Sequence, residues 1–315
     1  MAMKFTIITP SFNQLPYLKR CVASIADQKD VRVEHVVIDG DSTDGTVDWL
    51  ERYAQEVRGQ HEEPKAQSPK PKALLSGYSF SCFSKPDNGM YDALNKGISF
   101  ALQKQLSGNC DDEIVAWLNC DEQYLPGALQ RVARFFETHP EADFVYGDVL
   151  MVDPDGALLT YRKNPPLRRA YVLADHLYTQ SAALFFRAGI FSSGVRFDPA
   201  WKAVGDCDFI VRTLTAGFRP ASIKAYLAVC TMTGRNISRG SSGVSELEKF
   251  RRQAPVLFRA GRPVFNALRY LEKFLRGGYR QAAPLEYDLF LDDFNIRKKI
   301  VSETASSRFR WDDHE

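Results

Sequence analysis

Within its first 136 residues the chain repeats one unit four times: a strand-length run of five or six residues, then apolar residues at helical spacing. The runs are Lys4 to Thr9, Val33 to Ile38, Tyr78 to Phe83 and Ile114 to Leu118. The helical faces are Leu15/Leu18/Val22/Ile25, Val47/Leu50/Ala54/Val57, Tyr91/Leu94/Ile98/Leu102 and Leu129/Val132/Phe136. Strands separated by helices cannot pair as hairpins, so the alternation calls for a mostly parallel sheet with helices on both faces. At 315 residues and 44% hydrophobic content, the chain can bury such a core and carry an appendage.

The fourth run is the most chemically loaded. Ile114, Val115, Ala116, Trp117 and Leu118 stop abruptly in Asn119, Cys120, Asp121 and Glu122. Open α/β sheets bind ligands at the carboxyl ends of their strands, and carboxylate oxygen there suits a hard divalent cation held with phosphate. TPSFN at Thr9 to Asn13 follows the first strand, and DGDSTDGT at Asp39 to Thr46 follows the second. These polar turns should therefore line one edge. No G-x-G-x-x-G follows the first strand, which argues against an ordinary dinucleotide fold.

Beyond residue 143 the pattern turns antiparallel. Asp143 to Asp153 and Ala157 to Lys163 flank a Pro154-Asp155-Gly156 turn, a hairpin signal. Ala182 to Phe186 and Ile223 to Met232 read as further strands, with a helix over Phe209 to Leu214 between them. Residues 58–73 carry three prolines and many charges, and the spacing predicts a mobile surface loop.

In order and spacing, TPSFN, VIDGDSTDGT, SKPDNGMYDALNKGI, WLNCDEQYLPGAL and VGDCDFIVRTL resemble the motifs of family-2 glycosyltransferases with the GT-A fold, bacterial polysaccharide-building enzymes above all. The likeness covers about residues 3–232. It implies an α/β, Rossmann-like mixed sheet flanked by helices over 1–233; the glycines and serines of 234–243 predict a flexible loop, and the amphipathic pattern beyond it a helical, basic extension over 244–315. It also implies an inverting transfer of a sugar from a nucleoside diphosphate, UDP before GDP, to a saccharide or polyprenyl-linked saccharide.

Site residues follow from the same likeness. Thr9, Pro10 and Phe12 match the first nucleotide-binding turn, and Asp39 matches the acid that accepts a hydrogen bond from the base, with Asp41 beside it. Asp121 matches the last acid of the metal motif, for Mn²⁺ or Mg²⁺, and Asn119 stands where the first acid is often found. An amide there still binds a ribose hydroxyl or a metal-bound water. Asp87, Asp92 and Asn95 fall in the donor-contact segment, Gln180 borders the acceptor side, and Asp206 matches the general base. Arg235 and Arg239, in GRNISRGSSG, are expected to meet the donor phosphates.

Read without that likeness, Asp39, Asp41 and Asp44 are helix-capping acids, and Cys120 and Cys207 are packing residues. Two other readings stay open: a nucleotide-sugar-binding module without catalysis, because of Asn119, and a nucleotidyltransferase. The second needs a basic Gly-rich triphosphate loop near the start, which TPSFNQ does not supply.

Residues 249–280 hold nine Lys or Arg and one Glu, interleaved with Val256, Leu257, Phe258, Val264, Phe265, Leu268, Leu271, Phe274 and Leu275. Amphipathic basic helices of this kind lie on anionic membranes or pack on their own protein through the apolar face. Nucleic acid is not expected, because a base-stacking aromatic platform is missing. Six cysteines without C-x-x-C spacing, and a start lacking a basic-then-apolar leader, lead to the expectation of a reduced cytoplasmic protein, with a peripheral position at the inner membrane face as a second expectation.

Overall fold

A computed structural model of the chain describes residues 3–62, 77–104, 113–234 and 241–308. Four parallel strands open the sheet: β1 (Lys4–Ser11), β2 (Arg32–Asp39), β3 (Tyr78–Ser84) and β4 (Glu113–Trp117). They are joined through α1 (Leu15–Ala26), α2 (Thr46–Glu62) and α3 (Met90–Lys104). A short β5 (Glu122–Tyr124) precedes α4 (Ala128–Thr138). The antiparallel part then brings β6 (Phe144–Val152), β7 (Leu158–Arg162) and α5 (Arg169–Ala174). A 3-10 turn (Ser181–Ala183), β8 (Leu184–Arg187), α6 (Gly189–Ser192), α7 (Gly205–Thr215) and β9 (Pro220–Thr231) follow. The sheet order is β3-β2-β1-β4-β8-β6-β9-β5, with β7 paired to β6.

Strand parity divides the core into two layers. Phe5, Ile7, Val33 and Val37 face α1, α2 and α4 through Leu18, Val22, Leu50, Val132 and Phe136. Ile8, Val36, Trp117, Phe144 and Phe186 face α3, α6 and α7 through Tyr91, Leu94, Phe191 and Phe209. Each of these large apolar side chains contributes about 1.5–3 kcal/mol by leaving water. At the amino edge of the sheet the acids are structural, since Lys4 Nζ lies 3.0 Å from Glu34 and 3.2 Å from Glu113.

The extension departs from expectation. It is helical only over α8 (Ser241–Gln253), α9 (Val256–Ala260) and α10 (Arg262–Leu275). After these, β10 (Leu285–Leu289) and β11 (Lys298–Ser302) form an antiparallel hairpin. Leu285, Tyr287 and Leu289 pack with Leu150, Val152 and Tyr161 of the main sheet, and period-2 burial favours a strand there over a helix. Arg297 clamps Asp27 at the end of α1 with two 2.7 Å bonds.

The helices dock through charge. Asp175 accepts from Arg251 (2.6 Å), Arg262 (2.7 Å), Arg269 (3.3 Å) and His176 (2.8 Å). Burial pushes its carboxyl upward, but the His176 bond and the charges of His176, Arg251 and Arg262 outweigh that and hold it well below the usual range. Arg168 pairs with Glu272 at 2.8 Å. Several extension arginines therefore face the protein, while Val264, Leu268, Leu271 and Leu275 are exposed along α10, and Val256 and Leu257 on α9. Among the described residues no helix is long and apolar enough to cross a membrane.

The loop expected over 58–73 begins in the last turn of α2, and its residues from 63 on lie outside the described residues, as do Arg235 and Arg239.

Candidate functional site

The carboxyl ends of β1 to β4 meet along one edge. Gly40 N–H donates to Ser11 O (2.9 Å), Lys85 N–H to Asp39 O (3.0 Å) and Leu118 N–H to Ile8 O (3.0 Å). The Cys120 thiol reaches Pro10 O at 3.3 Å, and Thr231 N–H donates to Asp121 O at 2.8 Å. Residues distant in sequence are thereby fixed within one hydrogen-bonded ridge.

Asp206 belongs to that edge by topology. β4 and β6 are each antiparallel to β8, and β9 is parallel to β6, so β9 runs with β4. α7 packs on the sheet through Phe209 and returns to the start of β9 after a short loop, which puts its amino end at the carboxyl edge. Tyr91, in the first turn of α3, directs its hydroxyl to Asp206 Oδ1 at 3.5 Å, and Cys207 N–H donates to the same oxygen at 2.8 Å. A Cβ on Gly205 would stand 2.7 Å from the Tyr91 ring, so glycine is what lets this ring close on α7. Asp206 keeps a partial opening to solvent, yet burial pushes its carboxyl above the usual range.

The turn before α7 is held from the extension. Glu246 of α8 accepts from Lys202 N–H (2.8 Å), Ala203 N–H (2.7 Å) and Val204 N–H (3.3 Å). Lys202 Nζ in turn donates to Asn88 O and to Pro199 O, joining the turn before α3 to the turn before α7.

At the end of β4, Asn119 N–H donates to Glu122 Oε2 at 2.8 Å. Burial first, and the charge of Asp121 second, push the Glu122 carboxyl up to about 8. Among the described residues the Asn119 Oδ1 atom is buried without a hydrogen-bond partner, whereas Ser11 Oγ, on the parity of Thr9, turns to the core face beside the Cys120 thiol. An unmet buried acceptor costs about 1–3 kcal/mol, so the Asn119 oxygen marks where a ligand or water is wanted. Phe12, 61% exposed, follows β1 and lies near Gly40 as an aromatic face open to solvent.

Other expected residues have structural work. Thr9 shares the parity of Phe5 and Ile7, so its hydroxyl faces the core and meets His35 Nε2 at 2.9 Å; its side chain is not in the cleft. His35, whose other nitrogen meets the Tyr78 hydroxyl at 3.0 Å, is pushed down to about 3 by burial. Asp39 is fully buried and accepts from Ser42 N–H (2.9 Å), Ser42 Oγ (2.6 Å) and Ser84 Oγ (2.8 Å). Its carboxylate shapes the turn at residues 39–42, ahead of α2, and Asp44, not Asp39, accepts the Thr46 N–H at 3.2 Å where that helix begins. Asn95 clamps Phe197 through both amide atoms, at 2.9 and 3.0 Å, and so does not face a sugar. Asp92 accepts Asn88 N–H at 3.0 Å and pairs with Lys96 at 3.1 Å, closing the first turn of α3.

Asp87 fits the cleft better. Its Oδ1 accepts Gly89 N–H at 2.7 Å, and its other oxygen packs over Gly40 next to the Phe12 ring. Asp41 is exposed, at a left-handed φ of 69°. Gln180, half-buried, opens the turn Ser181–Ala183, which packs against β4, β5, β6 and β9. Asp208 is occupied by Arg212 at 2.6 and 2.8 Å. The sequence reading did not single out Tyr91 or Glu246; the helical spacing of Tyr91 marked it only as core.

Among the described residues no cluster of three or more His, Cys, Asp or Glu side chains is arranged to hold a metal ion. Asp121 and the Asn119 oxygen still fit an ion that takes its remaining ligands from a substrate diphosphate and water, as Mg²⁺ commonly does.

The model of glycosyl transferase family 2 matches residues 6–193. An uncharacterized glycosyltransferase of Mycobacterium tuberculosis (strain ATCC 25618 / H37Rv) is 37% identical over 241 residues, covering 76% of this chain and 79% of the relative. A PGL/p-HBAD biosynthesis glycosyltransferase of Mycobacterium bovis (strain BCG / Pasteur 1173P2) is 27% identical over 264 residues, 82% of this chain and 87% of the relative. Among solved structures, S. aureus TarS 1-349 in complex with UDP-GlcNAc superimposes with a TM-score of 0.57 at 15% identity, over 96% of this chain and all of that one. The longer TarS chain gives 0.55 at 15% identity, over 94% of this chain and 60% of that chain. The shared architecture is the GT-A fold, a mixed, curled sheet flanked by helices.

Proposed function

Because the chain belongs to glycosyl transferase family 2, we propose that it moves a hexose-type sugar, with inversion, from a UDP-sugar to a saccharide or lipid-linked saccharide acceptor in polysaccharide biosynthesis. The observation that carries this reading is the unpartnered buried Asn119 Oδ1 at the end of β4, on the edge that also bears Phe12, Asp121 and Asp206. Phe12 offers a stacking face to the base, with Pro10, Asp41 and Asp87 around it, and Asp39 shapes the turn that supports it. The UDP-GlcNAc complex of the TarS structure supports a uridine donor.

The chemistry asked of the protein is one displacement. The acceptor hydroxyl oxygen bonds to the anomeric carbon as the bond to the diphosphate oxygen breaks, and the hydroxyl proton passes to Asp206. A base poised above the ordinary carboxylate range takes that proton more readily, and the Tyr91 hydroxyl and Cys207 N–H hold the receiving carboxylate in place. When bound, Mn²⁺ or Mg²⁺ held by Asp121 and Asn119 would neutralise diphosphate charge. Gln180 lies toward the acceptor side.

The outward apolar stripe of α9 and α10 supports a membrane-borne acceptor. Exposed Arg259, Arg276 and Arg280 border it, and Glu272 is neutralised by Arg168, so the charge complements an anionic lipid surface. This reading places the protein at the cytoplasmic face of a membrane as a peripheral enzyme.

Thermal unfolding with a panel of nucleotide sugars, each with and without Mn²⁺, tests the donor reading, since a ligand of the folded state raises its melting temperature. Asp121→Ala should lose the metal-dependent shift with UDP. Asp206→Asn should keep it and lose transfer by about 10²–10⁴-fold. Wild-type transfer in Asp206→Asn removes the base, and metal-dependent hydrolysis of a UDP-sugar without acceptor separates an enzyme from a binding module.

A further inference from the structure

A cavity of about 210 Å³ opens where β6 and β9 meet the end of α10. Its walls include Asp148, Lys163, Lys224, Lys273 and Arg276, and none comes from the turns that carry Phe12, Asp39, Asp121 or Asp206. The backbone makes the space: Tyr146 pairs with Ser222 and Asp148 with Tyr226, so three residues of β9, Ile223, Lys224 and Ala225, bulge out opposite Gly147 alone.

The charge in this cavity is one-sided. Four cations face one carboxylate, and Asp148 already accepts Asn164 N–H at 2.8 Å. Burial pushes Asp148 up to about 6, which weakens its hold on a charge. Lys273 is pushed down to about 8, by burial first and then by the like charges of Arg162 and Arg269. Gly278 lets the Lys273 stem lie there, because a Cβ on it would stand 2.6 Å from Lys273 Cγ. The negative end of the α10 dipole opposes an anion, but its last carbonyls are capped by Arg276, Gly277 and Gly278 N–H groups at 2.8–3.1 Å.

We propose that this cavity binds a phosphate group, separately from the donor cleft and independently of the reading given to that cleft. Lys273, Lys224 and Arg276 supply charge-assisted bonds, and Arg276 links the cavity to the end of the apolar stripe. The phosphate can come from a free phosphate ester or from a lipid headgroup.

The test titrates the full chain with inorganic pyrophosphate in EDTA, and with vesicles of phosphatidic acid in phosphatidylcholine against phosphatidylcholine alone. The wild type, Arg276→Gln and Lys273→Met are compared, with UDP titrated alongside as a readout of the donor cleft. Binding of pyrophosphate, or of phosphatidate vesicles, that weakens about tenfold in both variants while UDP affinity holds is the expected result. Dependence confined to the vesicles and shared by Lys273→Met identifies a lipid headgroup, vesicle dependence in Arg276→Gln alone belongs to the basic border of the apolar stripe and overturns the proposal, and dependence with pyrophosphate alone identifies a soluble phosphate. No binding of either probe, or binding equal in all three chains, overturns the proposal. Arg276 is exposed, so its variant keeps the pyrophosphate test valid if Lys273→Met fails to fold.

Discussion

Residue by residue, function on this edge is decided by which way a side chain points. Thr9 sits in a motif expected to bind nucleotide, yet alternation along β1 turns its hydroxyl onto His35 in the core. Thr9→Val should therefore lower stability by about 1 kcal/mol in urea unfolding, by leaving a buried imidazole nitrogen unmet, and leave the donor KM unchanged. A raised KM with normal stability would return Thr9 to the cleft. Asp206 makes the opposite case. Burial favours its protonated form, so ionising it costs stability as pH rises through its raised folded pKa, and the same ionisation switches on the base. The acid limb of kcat/KM should accordingly lie above the ordinary Asp value of about 3.9. A limb at or below that value would deny Asp206 the role.

At the scale of elements, the helical extension buttresses the turn that leads into Asp206, the proposed base. Glu246 on α8 gathers three N–H groups just ahead of Asp206, so Glu246→Gln should lower kcat about tenfold with little change in donor KM, and move the acid limb of the pH profile. A change confined to melting temperature would make Glu246 merely structural. The strands and helices of the first half were legible in the sequence because apolar period and length agree there, and the Pro154-Asp155-Gly156 turn announced β6 and β7. The β10–β11 hairpin was not, although Leu285, Tyr287 and Leu289 alternate, because the strong helical pattern of residues 249–280 was carried on to the end of the chain. Asp121, Asp206 and Phe12 were named from motif positions, and the roles proposed for them rest on those positions and on the edge they share. Asn95, Asp92 and Asp39 were misjudged because a motif does not reveal a backbone partner such as Phe197, Asn88 or Ser42.

For the molecule as a whole, one carboxylate reverses the usual amphipathic arrangement. Asp175 draws Arg251, Arg262 and Arg269 inward, and the apolar stripe of α10 is left outward. Leu271→Glu with Leu275→Glu should abolish sedimentation with anionic vesicles while leaving transfer to a soluble acceptor unchanged. Retained vesicle binding, or a dimer in the wild type that the same substitutions dissociate, would replace the membrane with a second copy. The central claim, that Phe12, Asn119, Asp121 and Asp206 surround one donor cleft, is tested most directly by a crystal structure of the full chain with UDP and Mn²⁺. The account predicts the uracil against Phe12 and the diphosphate and metal at Asn119 and Asp121, on the side facing Asp206. A nucleotide bound elsewhere, or a diphosphate turned away from Asp206, would contradict it.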